Sequence, residues 1–218
     1  MRCRTCGCAG AHHTGLAEPT GAGYVWFEER FPGLAEAYCF TLVHSVPPSE
    51  VLHRLQGREG PPRTGAEQIV EAAFDLLESD DTRQLIAMAS IGDWTLLIEP
   101  NGYLGVTEEK ALPASAGTSW ISHFVNINGV DSFLWADDTT NRLAFEPGFP
   151  DSRWGTSPDE PLKAMHDIGF QSWEETSDTA EDLSAPAAFA LAEHLSGVRI
   201  TPELLQETTF TCGSAKIR

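Results

Sequence analysis

Apolar and polar positions alternate most regularly between Gln84 and Phe149, where short apolar runs are separated by Gly, Asp and Asn. "QLIAMASIGDWTLLIEPNGYLGV" and "TSWISHFVNINGVDSFLWADDTTNRLAFEPGF" each read as a β-meander, because a two-residue period bounded by turn formers is the mark of half-buried strands. Gly92-Asp93 is expected to turn the chain between two strands. Pro100-Asn101-Gly102 matches a type I turn closed by a left-handed Gly102, which predicts a further hairpin. Asn128-Gly129 is the strongest local hairpin signal, and Asp137 to Asn141 forms a longer acidic tip. Trp94, Leu96 and Ile98 fall on one strand face; Thr95, Leu97 and Glu99 fall on the other. The loops are too short for parallel crossovers, so the sheet is expected to be antiparallel.

Helical spacing flanks this region. Trp26, Phe27, Arg30, Phe31 and Leu34 keep a helical period that Pro32 should break or kink, and "CFTLVHS" then reads as a first strand. Ser49 is expected to cap a short helix carrying Val51, Leu52 and Leu55. Thr64 and Glu67 make a capping box ahead of a helix whose Ile69, Val70, Ala73, Phe74 and Leu77 form one apolar stripe. Beyond the meanders, a short helix is expected within Ser157 to Ile168, followed by the acidic linker "QSWEETSDTAED". Ser184 and Thr201 are the expected caps of two further helices, each with Pro in its first turn, and Gly197 stops the first of them. The sum is an α+β domain: a mainly antiparallel sheet of six or seven strands with helices packed on one face.

Composition narrows the function classes. The 218-residue chain is long enough to bury a full core as one domain without disulfide staples. Its 32 acidic residues against 14 basic ones, a formal charge of −18, argue against nucleic acid, since no Lys/Arg stripe is present to replace phosphate counterions. A basic protein is the partner such a surface favours. No apolar run approaches membrane-spanning length and no secretion signal opens the chain, so no membrane association and a cytoplasmic location are expected. Five cysteines, an odd number, do not make a secreted disulfide framework, and Cys39 and Cys212 sit in apolar segments as small hydrophobes.

Residues 1–23 differ from the rest: rich in Gly and Ala, without aromatics, they read as a disordered tail ahead of a domain spanning 24–218. Cys3, Cys6, Cys8 and His12 are the one candidate metal set, with Cys3-x-x-Cys6 at zinc-knuckle spacing. The second half of a closed tetrahedral site is missing or compressed, and no hydrophobic cap accompanies it, so no metal and no other cofactor is expected.

"WFEERFPGLAEAYCFTLV", "GDWTLLIEPNGYLGV", "SHFVNINGVDSFLW", "LAFEP" and "DLSAPAAFALAEHLSGVRITPELL" together resemble a bacterial family catalogued only as a domain of unknown function, over about residues 24 to 212. The resemblance implies family membership and brings no activity with it. Immunity proteins that mask toxins are also acidic α+β proteins, an analogy of style without a shared motif.

No Gly-x-Ser-x-Gly elbow, His-Glu-x-x-His pair or phosphate-cradling Gly loop occurs. His123 shares its face with Ile121, Val125 and Ile127, as a hydrogen-bonded core histidine would, and Ser122 points the other way. Glu99 and Glu146 each precede Pro at a strand end, which could bring two carboxylates together; the simpler role is anchoring a turn through local hydrogen bonds. Trp135 beside Asp137 and Asp138 offers an aromatic anchor with an acidic rim. The leading expectation is therefore a non-enzymatic protein-binding module using Trp135, Asp137 and Asp138. The alternative is a small enzyme, a hydrolase, built on Glu99, Glu146 and His123, and an open pocket holding those three groups would favour it.

Overall fold

A computed structural model describes residues 18–170 and 183–218 of the chain. Cys3, Cys6, Cys8, His12 and most of the expected acidic linker lie outside the described residues. A 3-10 turn at Gly21–Tyr24 opens the described chain, and its Gly21 is buried against Ala187. The boundary expected after Gly23 thus falls inside packed structure. Helices α1 (Trp26–Arg30) and α2 (Pro32–Ala35) follow, with the break at Phe31 and Pro32 in the first turn of α2, as Pro demands.

Strand β1 (Tyr38–His44) leads to α3 (Pro48–Arg54), the two-residue strands β2 (Arg58–Glu59) and β3 (Arg63–Thr64), and α4 (Gly65–Ser79). The meander region supplies β4 (Arg83–Ile91), β5 (Trp94–Pro100), α5 (Glu108–Ala114), β6 (Ser119–Val125), β7 (Asp131–Asp137) and β8 (Thr140–Phe145). Helices α6 (Leu162–Ile168), α7 (Ser184–Ser196) and α8 (Pro202–Glu207) precede a last strand, β9 (Thr209–Lys216). Strands pair in the order β2-β9-β4-β5-β1-β6-β7-β8, with β3 also on β9, and every pairing is antiparallel. The class is α+β.

Alternation along the strands divides the core between the two sheet faces. Phe40, Leu96, Ile98, Ile121 and Phe133 meet Phe189 and Leu191 of α7, Ala66 and Ile69 of α4 and Leu205 of α8 on the first face. This is the expected helical layer. The second face adds a smaller one, where Val43, Leu97, Trp120 and Leu134 meet Val51 and Leu52 of α3, Ala111 and Ala114 of α5 and Leu104. Trp120 and Phe133 are both fully buried. These aromatics are core.

Local chemistry departs from expectation at several element ends. The hydroxyl of Thr64 pairs with Thr209 Oγ1 at 2.9 Å instead of capping α4, and the Thr64 N–H donates to Gln68 Oε1. Ser49 does not cap α3, whose N-cap is Pro47, and Ser184 lies inside α7, with Leu183 at its N-cap. Thr201 behaves as expected, accepting from the Leu204 N–H at 3.2 Å, and Gly197 ends α7 in the left-handed region at φ 74°. The single stripe expected on α4 is split: Ile69 is buried, while Phe74 and Leu77 are 52% and 43% exposed. β9 was not foreseen, and it closes the β4 edge of the sheet.

Candidate functional site

The register of the sheet decides whether Glu99, Glu146 and His123 can cooperate. Glu99 pairs with Cys39, Cys39 with Phe124, Phe124 with Ser132, and Phe133 with Phe145. Glu146 therefore lies four strands from Glu99, about 19 Å at the usual strand spacing. It is exposed, whereas Glu99 is fully buried. His123 pairs with Phe40, the neighbour of Cys39, so it projects from the opposite face to Glu99. The three groups, the set named for the alternative reading, do not converge.

Glu99 has a different task. Its two carboxylate oxygens accept the backbone N–H groups of Leu104 and Gly105, each at 2.9 Å. The loop after β5 is thereby folded back over the second sheet face. Gly105 is pressed against Thr41, Cys39 and Ser122, where a Cβ would collide with the first two side chains and crowd the third, and its carbonyl accepts from Trp120 Nε1 at 2.9 Å. Beneath it the hydroxyls of Thr41 and Ser122 share a 2.8 Å hydrogen bond. Burial raises the Glu99 carboxyl to about 7, against the two N–H donors that favour its charged form. Burial likewise raises the Cys39 thiol, with Glu99 adding to it.

This lock corrects the expected hairpin at Pro100-Asn101-Gly102. Asn101 takes the left-handed conformation, φ 52°, and no strand follows. Gly102 is required for space instead: a Cβ there would lie 2.5 Å from Glu99 Cβ. The chain enters a 3-10 turn at Leu104–Val106 and then α5.

His123 sits in an aromatic box. Its ring lies 4.2 Å from Phe189, 5.4 Å from Tyr38 and 5.8 Å from Phe40, centroid to centroid. Among the described residues neither ring nitrogen has a hydrogen-bond partner, and the Tyr38 hydroxyl has none either. The histidine is a core residue as expected, without the expected hydrogen bond. Burial depresses it to about 3, so it stays neutral at ordinary pH.

Trp135, Asp137 and Asp138 do gather at the β7–β8 hairpin, but on internal duties. The guanidinium of Arg142 lies over the Trp135 ring at 5.1 Å and pairs with Asp137 at 3.5 Å. Asp138 accepts the Gly117 N–H at 2.8 Å, and φ values of 44° and 66° at Asp138 and Thr139 give the I′ turn that a two-residue hairpin prefers. The acidic tip is tied to its own neighbours.

Two concavities border these groups. A groove of about 550 Å³ runs between α4 and the β6–β7 hairpin. Phe74, Leu77, Tyr103 and Ile127 are its exposed apolar contributors, the last at 75% exposure. Its floor is Gln84, which donates to the Asn101 carbonyl at 3.2 Å and accepts from the Tyr103 N–H at 3.4 Å. Tyr103 meets Phe124 edge-on at 6.3 Å. The Glu99 lock thus holds Tyr103 in the groove wall. A second cavity, of about 360 Å³, lies between α1, Tyr38 and the start of α7.

A family model described as a family of unknown function, DUF6461, matches residues 17–218. The chain belongs to DUF6461. The DUF6461 match is wider than the resemblance read from the sequence, taking in the packed turn at Gly21–Tyr24 and all of β9. Cys3, Cys6, Cys8 and His12 fall outside it. No curated protein and no solved structure matches the chain. Both concavities belong to the DUF6461 region, and neither was found from the sequence. The available signal was Phe74 and Leu77 trailing behind Ile69 around the helix at 100° per residue. Among the described residues no helix is long and apolar enough to cross a membrane.

Proposed function

We propose that the chain is a non-enzymatic binding protein that holds an apolar segment of a basic partner protein in the groove between α4 and the β6–β7 hairpin. The observation that carries the reading is the groove itself, with Phe74, Leu77, Tyr103 and Ile127 exposed together where scattered single apolar residues would need no explanation. Charge selects the partner. Helix α4 carries Glu67, Glu71, Asp75 and Glu78 and no Lys or Arg, so the apolar strip has an acidic flank in a chain of charge −18. Such a rim accelerates encounter with a basic surface, while the exposed apolar side chains of the groove slow dissociation. The failure of Glu99, Glu146 and His123 to meet removes the support for the rival enzyme. Free, buried Cys39 and Cys212 suit a reducing compartment such as the cytoplasm.

Labelled amphipathic peptides with one Leu face and either a Lys or a Glu face test this by fluorescence anisotropy. The Lys peptide should bind, lose affinity as salt rises, and bind at least about tenfold more weakly to Phe74→Ser with Leu77→Ser, a loss of about 1.4 kcal/mol. Equal binding of the Glu peptide, or binding unchanged by the double substitution, refutes the groove reading.

A further inference from the structure

Glu99 is a buried carboxylate at the root of one wall of the groove. It is fully buried, and no Lys, Arg or His is among the groups acting on it. β1 turns Cys39 toward it, β4 presents Gln84 and Ile86 on the same sheet face, and β6, beyond β1, presents Ser122 and Phe124. The loop supplies the Leu104 and Gly105 N–H groups and turns Tyr103 to the groove, while Glu108 and Glu109 at the start of α5 are exposed to solvent. Cys39 is the titratable neighbour on β1, and burial keeps its thiol protonated.

The two protonation states of Glu99 hold the loop differently. An ionised carboxylate accepts both N–H groups through charge-assisted bonds, whereas a protonated one commits an oxygen to its own O–H and offers neutral acceptors, roughly half as strong. Burial without a counter-charge brings the exchange of that proton to about pH 7. Trp120 keeps the Gly105 carbonyl in both states. The stretch that loosens is therefore Asn101 to Tyr103, where Gln84 meets the Tyr103 N–H at 3.4 Å and Gly102 packs against the Glu99 side chain. Tyr103, 40% exposed, rides on this stretch in the groove wall. We infer that the proton on Glu99 regulates the groove, which holds its occupant with Glu99 ionised and releases it with Glu99 protonated. This regulation rests on the binding reading of the groove. No histidine lines the groove, so the response does not come from imidazoles in the site itself.

The Lys peptide is the probe, titrated by anisotropy into the full chain from pH 5.5 to 8.5, with the Leu104 and Gly105 amides followed by two-dimensional NMR over the same range. Wild type should bind at least about threefold more tightly at the alkaline end than at the acid end, beyond any change shown by Glu99→Gln. Both amides should titrate together near pH 7. Linkage makes the effect reciprocal: saturating peptide should lower the amide midpoint by at least about half a pH unit, the equivalent of a threefold affinity ratio. Amides that do not titrate, or a midpoint unmoved by bound peptide, overturn the inference, and both readings come from wild type should Glu99→Gln fail to fold. An equal pH response in wild type and Glu99→Gln overturns it while leaving the groove reading intact. Absence of peptide binding by wild type at any pH, with the amides titrating, removes the groove reading and this regulation with it.

Discussion

Replacing His123 with Leu should remove an acid-sensitive contribution to the stability of the fold. The imidazole is buried among Tyr38, Phe40 and Phe189 with no partner for either nitrogen, and burial holds it near 3 against an ordinary value of 6.5. The unfolded chain therefore takes up a proton between about pH 6.5 and 3 that the native state refuses. For a depressed group, the stability it contributes is present above the unfolded value and is lost as pH falls toward the folded one. The limiting slope is about 1.36 kcal/mol per pH unit, so the loss between pH 7.5 and 4.5 amounts to about 2.7 kcal/mol.

Glu99 obscures this slope in the wild type. Its carboxyl is raised from 4.5 to about 7, so the native state binds the extra proton in that window and stability falls as pH rises through it. Between pH 4.5 and 6.5 the two slopes oppose each other and nearly cancel. Subtracting wild type from variant removes the Glu99 contribution, since the two side chains project from opposite sheet faces. Urea unfolding at pH 7.5, 6.5, 5.5 and 4.5 should show the His123→Leu variant gaining on wild type by about 1.4 kcal/mol per unit below pH 6.5, with a constant difference above it. A difference that stays constant throughout would show that His123 is protonated in the native state or has a partner, and would refute the buried, neutral assignment.

Glu99→Gln should have the mirror profile, with the wild-type advantage shrinking by about 3 kcal/mol from pH 4.5 to 7 and then levelling, again by urea unfolding. Gly102→Ala should destabilise by about 1–3 kcal/mol, since its Cβ would meet Glu99 Cβ, whereas Asn101→Gly should cost nothing because it relaxes a left-handed residue; equal effects would mean the turn is misassigned. Tyr38→Phe should stabilise by about 1 kcal/mol in thermal melts by removing an unpartnered hydroxyl, and a comparable loss would reveal a partner. Asp138→Ala should cost about 1 kcal/mol through the lost Gly117 hydrogen bond, and a neutral result would show that the acidic tip is free.

The strands were legible because a two-residue period is written directly into side-chain order. Leu96 and Ile98 enter one core and Leu97 the other, as their alternation requires. β9 carries the same alternation at Phe210 and Cys212, but diluted by Thr, Gly and Ser and paired with a strand more than a hundred residues earlier, Arg83 against Lys216. Long-range pairing of this kind leaves no local mark. The turn at Asn101-Gly102 was misread for a related reason: its composition fits a hairpin, and what redirects it is a carboxylate at Glu99 satisfying two backbone N–H groups further on. Capping boxes failed where a better tertiary partner existed, as Thr209 is for Thr64. The groove was hidden because a helix with one broad apolar stripe and a helix with a core stripe beside an exposed one have nearly the same sequence.

Strongly shifted ionisable groups usually direct attention to an active site, and here the two strongest candidates for that reading act as scaffold. A general acid or base needs a proton path and a reacting atom within hydrogen-bond reach. Glu99 has both oxygens occupied by the chain's own backbone, and His123 is sealed by three aromatic rings. Each instead supports the wall of one of the two concavities. The Glu99 carboxylate fixes the loop that presents Tyr103 to the groove, and His123 packs under Tyr38 and Phe189, which line the cavity. The binding reading proposed for the groove depends on that shape, because Tyr103 keeps its place in the wall only while Glu99 holds the loop.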